Sequence, residues 1–321
     1  MNIVILDRCT IISNGDISFD PITSLGNTAL YDMLSEDEIV AVARDADAII
    51  CNKAVITRRI MNECSKLKYI GLFATGYNNI DLDAANERGI YVVNAPSYST
   101  SSVVQHTFGL MLALASSICR YNSSVQSGEW CKSAAFTYLT EPMCELSGKI
   151  LGIFGLGTIG KAVARAAEGF GMNVIAHTRT RQPDCKIEFV DRDELFRRSD
   201  FLTLHCPLTD DTREIVNSRS LSLMKKSAFL INTARGGCVN EADLCKALHD
   251  GIIAGAGIDV VTVEPMREDN PLRTAPNTVI TPHVAWATVE SRRRLVQIVA
   301  GGLSAFKSGA PINVVNSPIP N

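Results

Sequence analysis

The sequence predicts an α/β fold of two doubly wound domains, each built on a parallel β-sheet. Short apolar runs alternate along the chain with stretches of helical periodicity. Apolar residues follow one another in these runs without polar alternation, which is typical of parallel strands covered by helices on both faces. The runs form two series in a chain of 321 residues, which is long enough for two domains with a core each.

The first series lies before residue 95 and predicts four strands. They are NIVIL, DAIIC, KYIGLFA and IYVVN. The segment EDEIVAVARDA, between the first two strands, places apolar residues at helical spacing and predicts a helix. The start of the chain, MNIVILDRCT, has no basic region before its apolar stretch, so it predicts a first strand rather than a signal peptide.

The second series lies between residues 149 and 282 and predicts six strands. They are KILGIFG, NVIAH, FLTLH, AFLIN, AGAGIDV and TVITP, and EADLCKALHDG predicts a helix among them. A long helix, SSVVQHTFGLMLALASSICRYN, is predicted from about residue 101, between the two series. His106 within it is expected to be structural.

A last helix, TVESRRRLVQIVAGGLSAFKSG, follows the second series. The tail after it is too short for a domain, so we expect this helix to return the chain to the first domain. The prediction is therefore a first domain of residues 1–100 and 291–321, with residues 101–290 inserted as the second. Two crossings would leave a hinged cleft between the domains, a common place for a ligand site.

Composition and charge narrow the classes of partner. The chain has 31 Lys and Arg against 34 Asp and Glu, a net charge of −3, which gives no general reason to expect nucleic acid or an anionic membrane as partner. No apolar run reaches the roughly 18 residues that a membrane helix needs. We therefore expect a cytoplasmic protein with neither nucleic acid nor a membrane as its partner.

The cysteines and histidines predict neither disulfides nor a metal site. Ten cysteines are scattered without a CxxC pair, and several lie inside predicted strands or helices. Reduced thiols of a cytosolic protein are the simplest interpretation. The five histidines show no ligand spacing with cysteine or with each other.

A glycine-rich turn follows the strand KILGIFG. The segment GLGTIG places Gly155, Gly157 and Gly160 in a GxGxxG pattern, followed by the Ala-rich helix TIGKAVARAAEGFG. The pattern alone is weak, and a ligand-free turn is the alternative. Between a strand and a helix it indicates a dinucleotide site, where the helix N-terminus faces the pyrophosphate.

The acidic residue expected at the end of the next strand is missing. Asp or Glu usually holds the ribose hydroxyls there, whereas NVIAH is followed by Thr178, Arg179 and Arg181. Thr178 repels no 2′-phosphate, and the two arginines supply positive charge. The stretch favours NADP(H) over NAD(H). The alternatives are an NAD site that tolerates a neutral residue and arginines that are merely solvated.

Four polar residues follow later strands. Arg235 lies in LINTARGG, Asp259 and Glu264 in AGIDVVTVEP, and His283 in ITPHVAWAT. Strand ends line the ligand crevice of an open α/β sheet, so we expect these residues to converge there. Each alone has a structural alternative, such as an ion pair, a turn cap or a solvated loop residue.

Together the four residues suit the reduction of a 2-oxo acid. A planar guanidinium binds a carboxylate and a carbonyl as a two-pronged donor, which Lys does not. Histidine is the general acid suited to neutral pH, and it would quench the charge that develops on the carbonyl oxygen. A Glu bonded to its other ring nitrogen would orient the imidazole and favour the charged form.

Over nearly its whole length the sequence resembles the D-isomer-specific 2-hydroxyacid dehydrogenases. The segments LFATGYNNIDLDAANERGIYVVNAP, GLGTIG, HCPLTDDT, INTARGG, GIDVVTVEP and TPHVAWAT occur in the family's order. The resemblance implies a Rossmann cofactor domain inserted in a flavodoxin-like substrate domain. It also implies that Arg235 binds the substrate, and that His283 is the acid–base residue with Glu264 as partner.

Further contacts are implied by the same resemblance. Backbone N–H groups around Thr75 and Gly76 would hold the substrate carboxylate, and Asp259 would lie near the nicotinamide. The remaining implied cofactor contacts are Thr158, Ile159, Thr233, Ala234 and the HVAW loop with Trp286. Cys206 directly follows the strand FLTLH, so we expect it to line the cofactor groove through its backbone. Trp286 is also a candidate to close the substrate pocket, with a core aromatic as the alternative.

The resemblance also indicates the branch of the family to which the chain is most similar. Glu264 argues against formate dehydrogenases, which have Gln there. HVAWAT and ATGYNNID are most similar to the glycerate dehydrogenase (hydroxypyruvate reductase) branch. We expect hydroxypyruvate/D-glycerate or glyoxylate/glycolate as substrates; a phosphoglycerate dehydrogenase-like enzyme and a dinucleotide-sensing corepressor-like protein are the alternatives. The family implies a homodimer, with FGLMLALA and the segment through Trp130 as candidate interfaces.

Overall fold

The computed structural model describes residues 1–180 and 186–319, which form two compact units. The first unit comprises residues 1–99 and 287–321, and the second comprises residues 100–286. The chain therefore leaves the first unit once and returns to it, so that the second unit is an insertion. The boundaries predicted from the sequence, after residues 100 and 290, lie one and four residues further along the chain.

Within its described residues, the first unit has one five-stranded sheet in which all neighbouring strands are parallel, in the order β2-β1-β3-β4-β5. The strands are β1 (Asn2–Ile5), β2 (Asn27–Leu30), β3 (Ala48–Cys51), β4 (Tyr69–Leu72) and β5 (Tyr91–Val93). The helices are α1 (Asp20–Thr23), α2 (Glu36–Ala43), α3 (Arg58–Glu63), α4 (Leu82–Glu87) and α11 (Val289–Lys307). This strand order is the flavodoxin-like one.

The central strands of this sheet are held by burial. All four residues of β3 and of β4 are buried. Full burial of an isoleucine such as Ile49 or Ile70 contributes about 1.5–3 kcal/mol. Helix α11 packs on this sheet at Gly302, where an added Cβ would lie 3.0 Å from Val93 Cγ1 and 3.1 Å from the Tyr69 hydroxyl. The last helix therefore belongs to the first unit.

In the part of the second unit that is described, a seven-stranded parallel sheet has the order β12-β11-β10-β9-β6-β7-β8. The strands are β6 (Ile150–Phe154), β7 (Asn173–His177), β8 (Glu188–Phe189), β9 (Phe201–Leu204), β10 (Phe229–Asn232), β11 (Gly255–Ile258) and β12 (Thr278–Ile280). The helices are α5 (Thr100–Ala115), α6 (Ile118–Gln126), α7 (Thr158–Gly169), α8 (Arg192–Arg198), α9 (Ser218–Ser222) and α10 (Glu241–His249). The order is that of a Rossmann sheet with one further strand, and the predicted fold class is confirmed.

The structure corrects the predicted long helix at the junction. The segment forms two helices, α5 and α6, with a 60° bend between them. Ser117 adopts a left-handed conformation at the break (φ 50°), and its hydroxyl donates to Pro142 O at 3.0 Å. A serine hydroxyl can form hydrogen bonds with backbone groups in conformations other than the helix, so serine has a low propensity for helix interiors.

Two strands were missed by the sequence pattern. β2 has the sequence NTAL and is partly exposed, and β8 consists of two residues only. Both lie at a sheet edge. An edge strand needs no continuous apolar run, because one of its sides has no neighbouring strand and its faces are less covered.

No single helix among residues 1–180 and 186–319 is long and apolar enough to cross a membrane. Helices α5 and α6 reach that length and composition only when they are taken together across their bend.

Candidate active site

The strands of the second unit end in register at one edge of the sheet. The parallel pairing aligns the last residues of six strands, namely Phe154, His177, Leu204, Asn232, Ile258 and Ile280. The residues that come next therefore start from the same edge. This edge carries most of the site residues predicted from the sequence.

The glycine-rich turn begins directly after β6. Gly155 has φ 97°, and an added Cβ there would lie 2.7 Å from His205 O. A Cβ on Gly160 would lie 2.2 Å from Gly155 O. The turn therefore needs glycine at both positions, one for its backbone conformation and one for the close approach of α7 to the strand.

Helix α7 begins at Thr158 without a side-chain cap. Its N-cap residue is Gly157, where an added Cβ would have no atom within 4 Å, and both residues are exposed. Ile159 follows and is partly buried. The first N–H groups of a helix lack intrahelical acceptors and carry a partial positive charge. An open space before such a helix end fits the pyrophosphate of a dinucleotide.

The end of β7 lies against this turn. The Gly155 N–H donates to His177 O at 2.8 Å, and His177 Nδ1 lies 3.1 Å from Val190 O. Thr178 is half-buried and Arg179 is exposed. The register thus places a neutral hydroxyl and a cation, not a carboxylate, directly after β7. Arg181 lies outside the described residues.

The segment after β9 adjoins the same turn. Desolvation by burial lowers the pKa of the His205 imidazole to about 3, so that this ring is neutral at physiological pH. Cys206 Sγ lies 4.0 Å from Cys238 Sγ, and both thiols are buried. The hydrogen bond with Cys238 and burial raise the pKa of Cys206, which is the opposite of what a nucleophilic cysteine requires.

The segment after β10 presents a guanidinium. Asn232 stabilises this turn, because its side chain accepts from Ala234 N at 3.0 Å and donates to Arg235 O at 2.9 Å. Arg235 is exposed and its Nη1 donates to Ala234 O at 2.7 Å. Thr233 belongs to the same turn, and its hydroxyl forms a 3.2 Å hydrogen bond with the hydroxyl of Thr107 in α5. Arg235 thus projects from a turn that is fixed by its neighbours.

His283 and Glu264 form the pair that the sequence predicted. His283 Nδ1 lies 2.6 Å from Glu264 Oε2, and the side chains are 28% and 35% exposed. A carboxylate only accepts, so Nδ1 carries the proton of this hydrogen bond. The other ring nitrogen, Nε2, is left on the far side of the ring from Glu264. The second carboxylate oxygen of Glu264 accepts from Val261 N at 3.2 Å, which fixes the orientation of Glu264.

Asp259 holds the His283 loop, a role that the sequence did not reveal. Its side chain is 1% exposed, and its carboxylate accepts from Val284 N and Ala285 N, both at 2.9 Å. Its backbone carbonyl accepts from His283 N at 2.7 Å. Trp286 lies in the same loop, and its indole N–H stabilises the loop by donating to His283 O at 2.9 Å.

The predicted residues of the first unit follow β4. Thr75 is exposed and donates from its hydroxyl to Ala95 O at 2.8 Å, and Gly76 follows it. The neighbouring loop after β3 is anchored by Asp7, whose carboxylate accepts from Asn52 N at 2.9 Å and Lys53 N at 2.6 Å. Burial raises the pKa of this Asp7 carboxyl. Asp7 was not among the predicted residues, since a single Asp after a strand carries no distinctive pattern.

Residues 1–180 and 186–319 contain no group of three or more His, Cys, Asp or Glu side chains placed to hold a metal ion.

The fold and this edge of the sheet define a nicotinamide-dependent oxidoreductase. The uncapped helix end suits a dinucleotide. The Arg235 guanidinium follows β10 and the His283 imidazole follows β12, while its partner Glu264 follows β11, the strand between them. The sequence model of the family described as "D-isomer specific 2-hydroxyacid dehydrogenase, NAD binding domain" matches residues 108–285. The chain belongs to the D-isomer specific 2-hydroxyacid dehydrogenases, and the family predicted from the motifs is confirmed.

Named relatives agree with this assignment. The chain is 38% identical to a hydroxypyruvate reductase of Blautia hydrogenotrophica over 322 aligned residues, which cover 98% of this chain and 100% of the relative. It is 42% identical to a glycerate dehydrogenase of Methylorubrum extorquens, covering 88% and 89% of the two chains. The NADPH-dependent glyoxylate/hydroxypyruvate reductase of Sinorhizobium meliloti has a similar structure, with a TM-score of 0.87, 29% identity and coverage of 100% and 99%.

Proposed function

We propose that this protein reduces hydroxypyruvate to D-glycerate, or glyoxylate to glycolate, with NADPH as the reductant. The observation that carries the proposal is the 2.6 Å contact between His283 Nδ1 and Glu264 Oε2, at the sheet edge from which Arg235 projects. The names of the relatives support the choice of substrates.

The proposed mechanism assigns a proton and a charge to particular atoms. A bound nicotinamide cofactor would supply the hydride that reduces the carbonyl carbon of the substrate. His283 Nε2 donates a proton to the carbonyl oxygen, while Glu264 holds the Nδ1 proton and stabilises the charged ring beforehand. Arg235 binds the carboxylate and polarises the carbonyl as a two-pronged donor. The backbone N–H groups of Thr75 and Gly76 are proposed to bind the substrate carboxylate as well.

The cofactor is proposed to bind along the strand ends of the second unit. The N–H groups of Gly157, Thr158 and Ile159 would bind its phosphates, and Thr178 and Arg179 would bind its adenosine ribose. Cys206, Thr233 and Ala234 line the groove through their backbones. Asp259 is proposed to lie near the nicotinamide through the loop that it anchors, which includes Trp286.

A panel of oxo acids tests the proposed function. We would measure kcat/KM by the loss of NADPH absorbance with hydroxypyruvate, glyoxylate, pyruvate and 3-phosphohydroxypyruvate. The proposal expects the highest values for hydroxypyruvate or glyoxylate. A preference for 3-phosphohydroxypyruvate would instead support a phosphoglycerate dehydrogenase-like enzyme. NADPH binding without turnover of any of the four would support a dinucleotide-sensing binding protein.

The preference for NADPH is expected to depend on Thr178 and Arg179. A charge-assisted hydrogen bond contributes about 1.5–3 kcal/mol, which corresponds to roughly one to two decades in affinity. Arg179→Ala should therefore weaken NADPH binding by about 10- to 100-fold and leave NADH binding nearly unchanged. Thr178→Asp should go further, because it repels the 2′-phosphate and accepts bonds from the ribose hydroxyls. The measurement is kcat/KM with both cofactors.

A control arginine makes this test specific. Arg192 is also exposed in the second unit but lies at the start of α8. Arg192→Ala should leave the ratio of the two cofactors unchanged. A wild-type preference for NADH, or an equal loss for both cofactors in Arg179→Ala, would show that Arg179 is only a solvated charge.

We also propose a homodimer that forms through residues 118–143. Six of the sixteen exposed large apolar side chains among the described residues lie in this segment, including Phe136 at 91% and Leu139 at 73%. The full set is Ile118, Val125, Trp130, Phe136, Leu139 and Met143. A concentration of exposed apolar side chains in one segment favours an interaction site there. The other predicted interface, FGLMLALA, instead contributes to the core of the second unit, where Phe108 and Met111 are buried.

The dimer is expected to dissociate when this segment is made charged. Phe136→Asp combined with Leu139→Asp should shift the molar mass in analytical ultracentrifugation from dimer to monomer, because two carboxylates would be buried at the interface. Met33→Asp, at a side chain that is 59% exposed in the first unit, is the matched control and should leave the dimer intact. A monomeric wild type, or a double variant that remains a dimer, would contradict the proposal.

A further inference from the structure

The backbone of His283 adopts a conformation that needs outside support. Its φ is 56°, in the left-handed region that residues other than glycine rarely adopt. Such a residue persists only where the surrounding structure over-determines it. Neighbouring side chains must therefore hold His283, the proposed acid–base residue, in this conformation.

One support is Asp259. Its backbone carbonyl accepts from His283 N, and its carboxylate accepts from the next two residues, Val284 and Ala285. The same carboxylate accepts from the Thr281 hydroxyl at 2.5 Å, on the other side of His283. Asp259 thus binds the chain before and after the imidazole.

A second support comes from helix α5, which the proposed mechanism does not otherwise use. Ser102 Oγ donates to Ala285 O at 2.6 Å, and His106 Nε2 lies 2.8 Å from Thr281 Oγ1. These two residues are four apart and therefore lie on one face of the helix. The face holds the loop at both of its ends, with His283 between them.

The directions of the hydrogen bonds that join His106, Thr281 and Asp259 follow from the single proton of the Thr281 hydroxyl. The Thr281 hydroxyl has one proton, and the Asp259 carboxylate, which only accepts, takes it. The hydroxyl must therefore accept from His106, so the His106 ring carries a proton on Nε2. Nε2 also lies 3.4 Å from Asp259 Oδ1, so its positive end faces the buried carboxylate.

We propose that His106 is a positioning residue for the acid–base pair: its Nε2–H fixes Thr281, and through it Asp259, so that the loop holds His283 in its left-handed conformation. This proposal rests on the proposed function for its effect on turnover. Its structural statement, a protonated Nε2 in His106, does not depend on the substrate.

Three variants of His106 distinguish the effect of its Nε2–H donor from the effect of its side-chain shape. The side-chain nitrogen of Gln reaches the position of Nε2, whereas that of Asn reaches only the position of Nδ1, and Leu has no donor. We expect His106→Leu and His106→Asn to lower kcat about tenfold, which is what the loss of one hydrogen bond produces. KM for NADPH and for hydroxypyruvate should stay within about twofold, and His106→Gln should keep nearly the wild-type kcat.

A nuclear magnetic resonance measurement tests the donor directly. In protein labelled with ¹⁵N-histidine, the resonances of His106 are assigned as those missing in His106→Gln. The proposal expects Nε2 to carry a proton in the wild type. A proton on Nδ1 alone would overturn it, as would a kcat unchanged in His106→Leu or lowered equally in the Leu and Gln variants. This measurement needs only His106→Gln to fold, so it remains decisive where His106→Leu or His106→Asn does not. It also needs no turnover, so it remains decisive where hydroxypyruvate is not reduced and the proposed function itself fails.

Discussion

Replacement of His283 by Ala is expected to lower kcat for hydroxypyruvate by roughly 10²- to 10⁴-fold, the usual contribution of general acid–base catalysis. The ring that would be lost is the one whose Nδ1 is bound by Glu264 at 2.6 Å. NADPH affinity, measured by fluorescence titration, should change little, because the glycine-rich turn and the end of β7 are untouched. His249→Ala is the matched control, since that histidine is exposed on α10 and its Nδ1 lies 2.9 Å from the carbonyl oxygen of Cys245, one turn earlier in the same helix.

A variant of Glu264, the partner of His283, tests the acid–base pair by a second, independent measurement. In Glu264→Gln a neutral amide replaces the carboxylate that stabilises the imidazolium, so His283 should lose its proton at lower pH. Reduction needs the protonated ring, so the alkaline limit of the kcat profile should move to lower pH. A profile that coincides with that of the wild type would show that the two residues do not act as a pair. Full turnover in His283→Ala would remove that histidine from the mechanism altogether.

Replacement of Arg235 by Lys is expected to lower kcat/KM for the oxo acid by roughly one to two decades, although the positive charge is kept. Lysine presents a single point charge in place of the planar fork, and a charge-assisted hydrogen bond contributes about 1.5–3 kcal/mol. The exposed guanidinium projects from a turn held by Asn232, so the substitution should leave the turn and the cofactor affinity nearly intact.

A second arginine serves as the control for this prediction. Arg192→Lys, at an exposed position of α8, should have wild-type kinetics. Wild-type kcat/KM in Arg235→Lys would exclude a two-pronged contact with the substrate. A large loss of NADPH affinity in the same variant would assign Arg235 to the cofactor rather than to the oxo acid.

The strand series was readable from the sequence because parallel strands are buried on both faces. The central strands β3, β4, β9 and β10 are buried along almost their whole length and are mainly apolar, so their runs can be recognised in the sequence. The edge strands β2 and β8 have no such requirement and were missed. The break between α5 and α6 was missed as well, since it is set by Ser117 and its bond to Pro142, a residue 25 positions away.

The pairing of Glu264 with His283 was readable for a related reason. Each residue closely follows a strand, and parallel strands bring their ends to one edge regardless of the length of the intervening helices. The same argument predicted the place of Arg235 and of the glycine-rich turn. It also located the position after β7, where Thr178 stands in place of an acid.

The chemical types at the sheet edge were therefore determined by the sequence alone: a guanidinium, an imidazole with its carboxylate, and a helix end suited to phosphate. Only the tertiary structure decided which residues hold them there. The sequence predicted Asp259 only as a strand-end carboxylate near the nicotinamide, and His106 only as a structural residue of a long helix. Their contacts with the His283 loop cross 22 residues or more of chain, and they depend on hydrogen-bond geometry that no local pattern encodes.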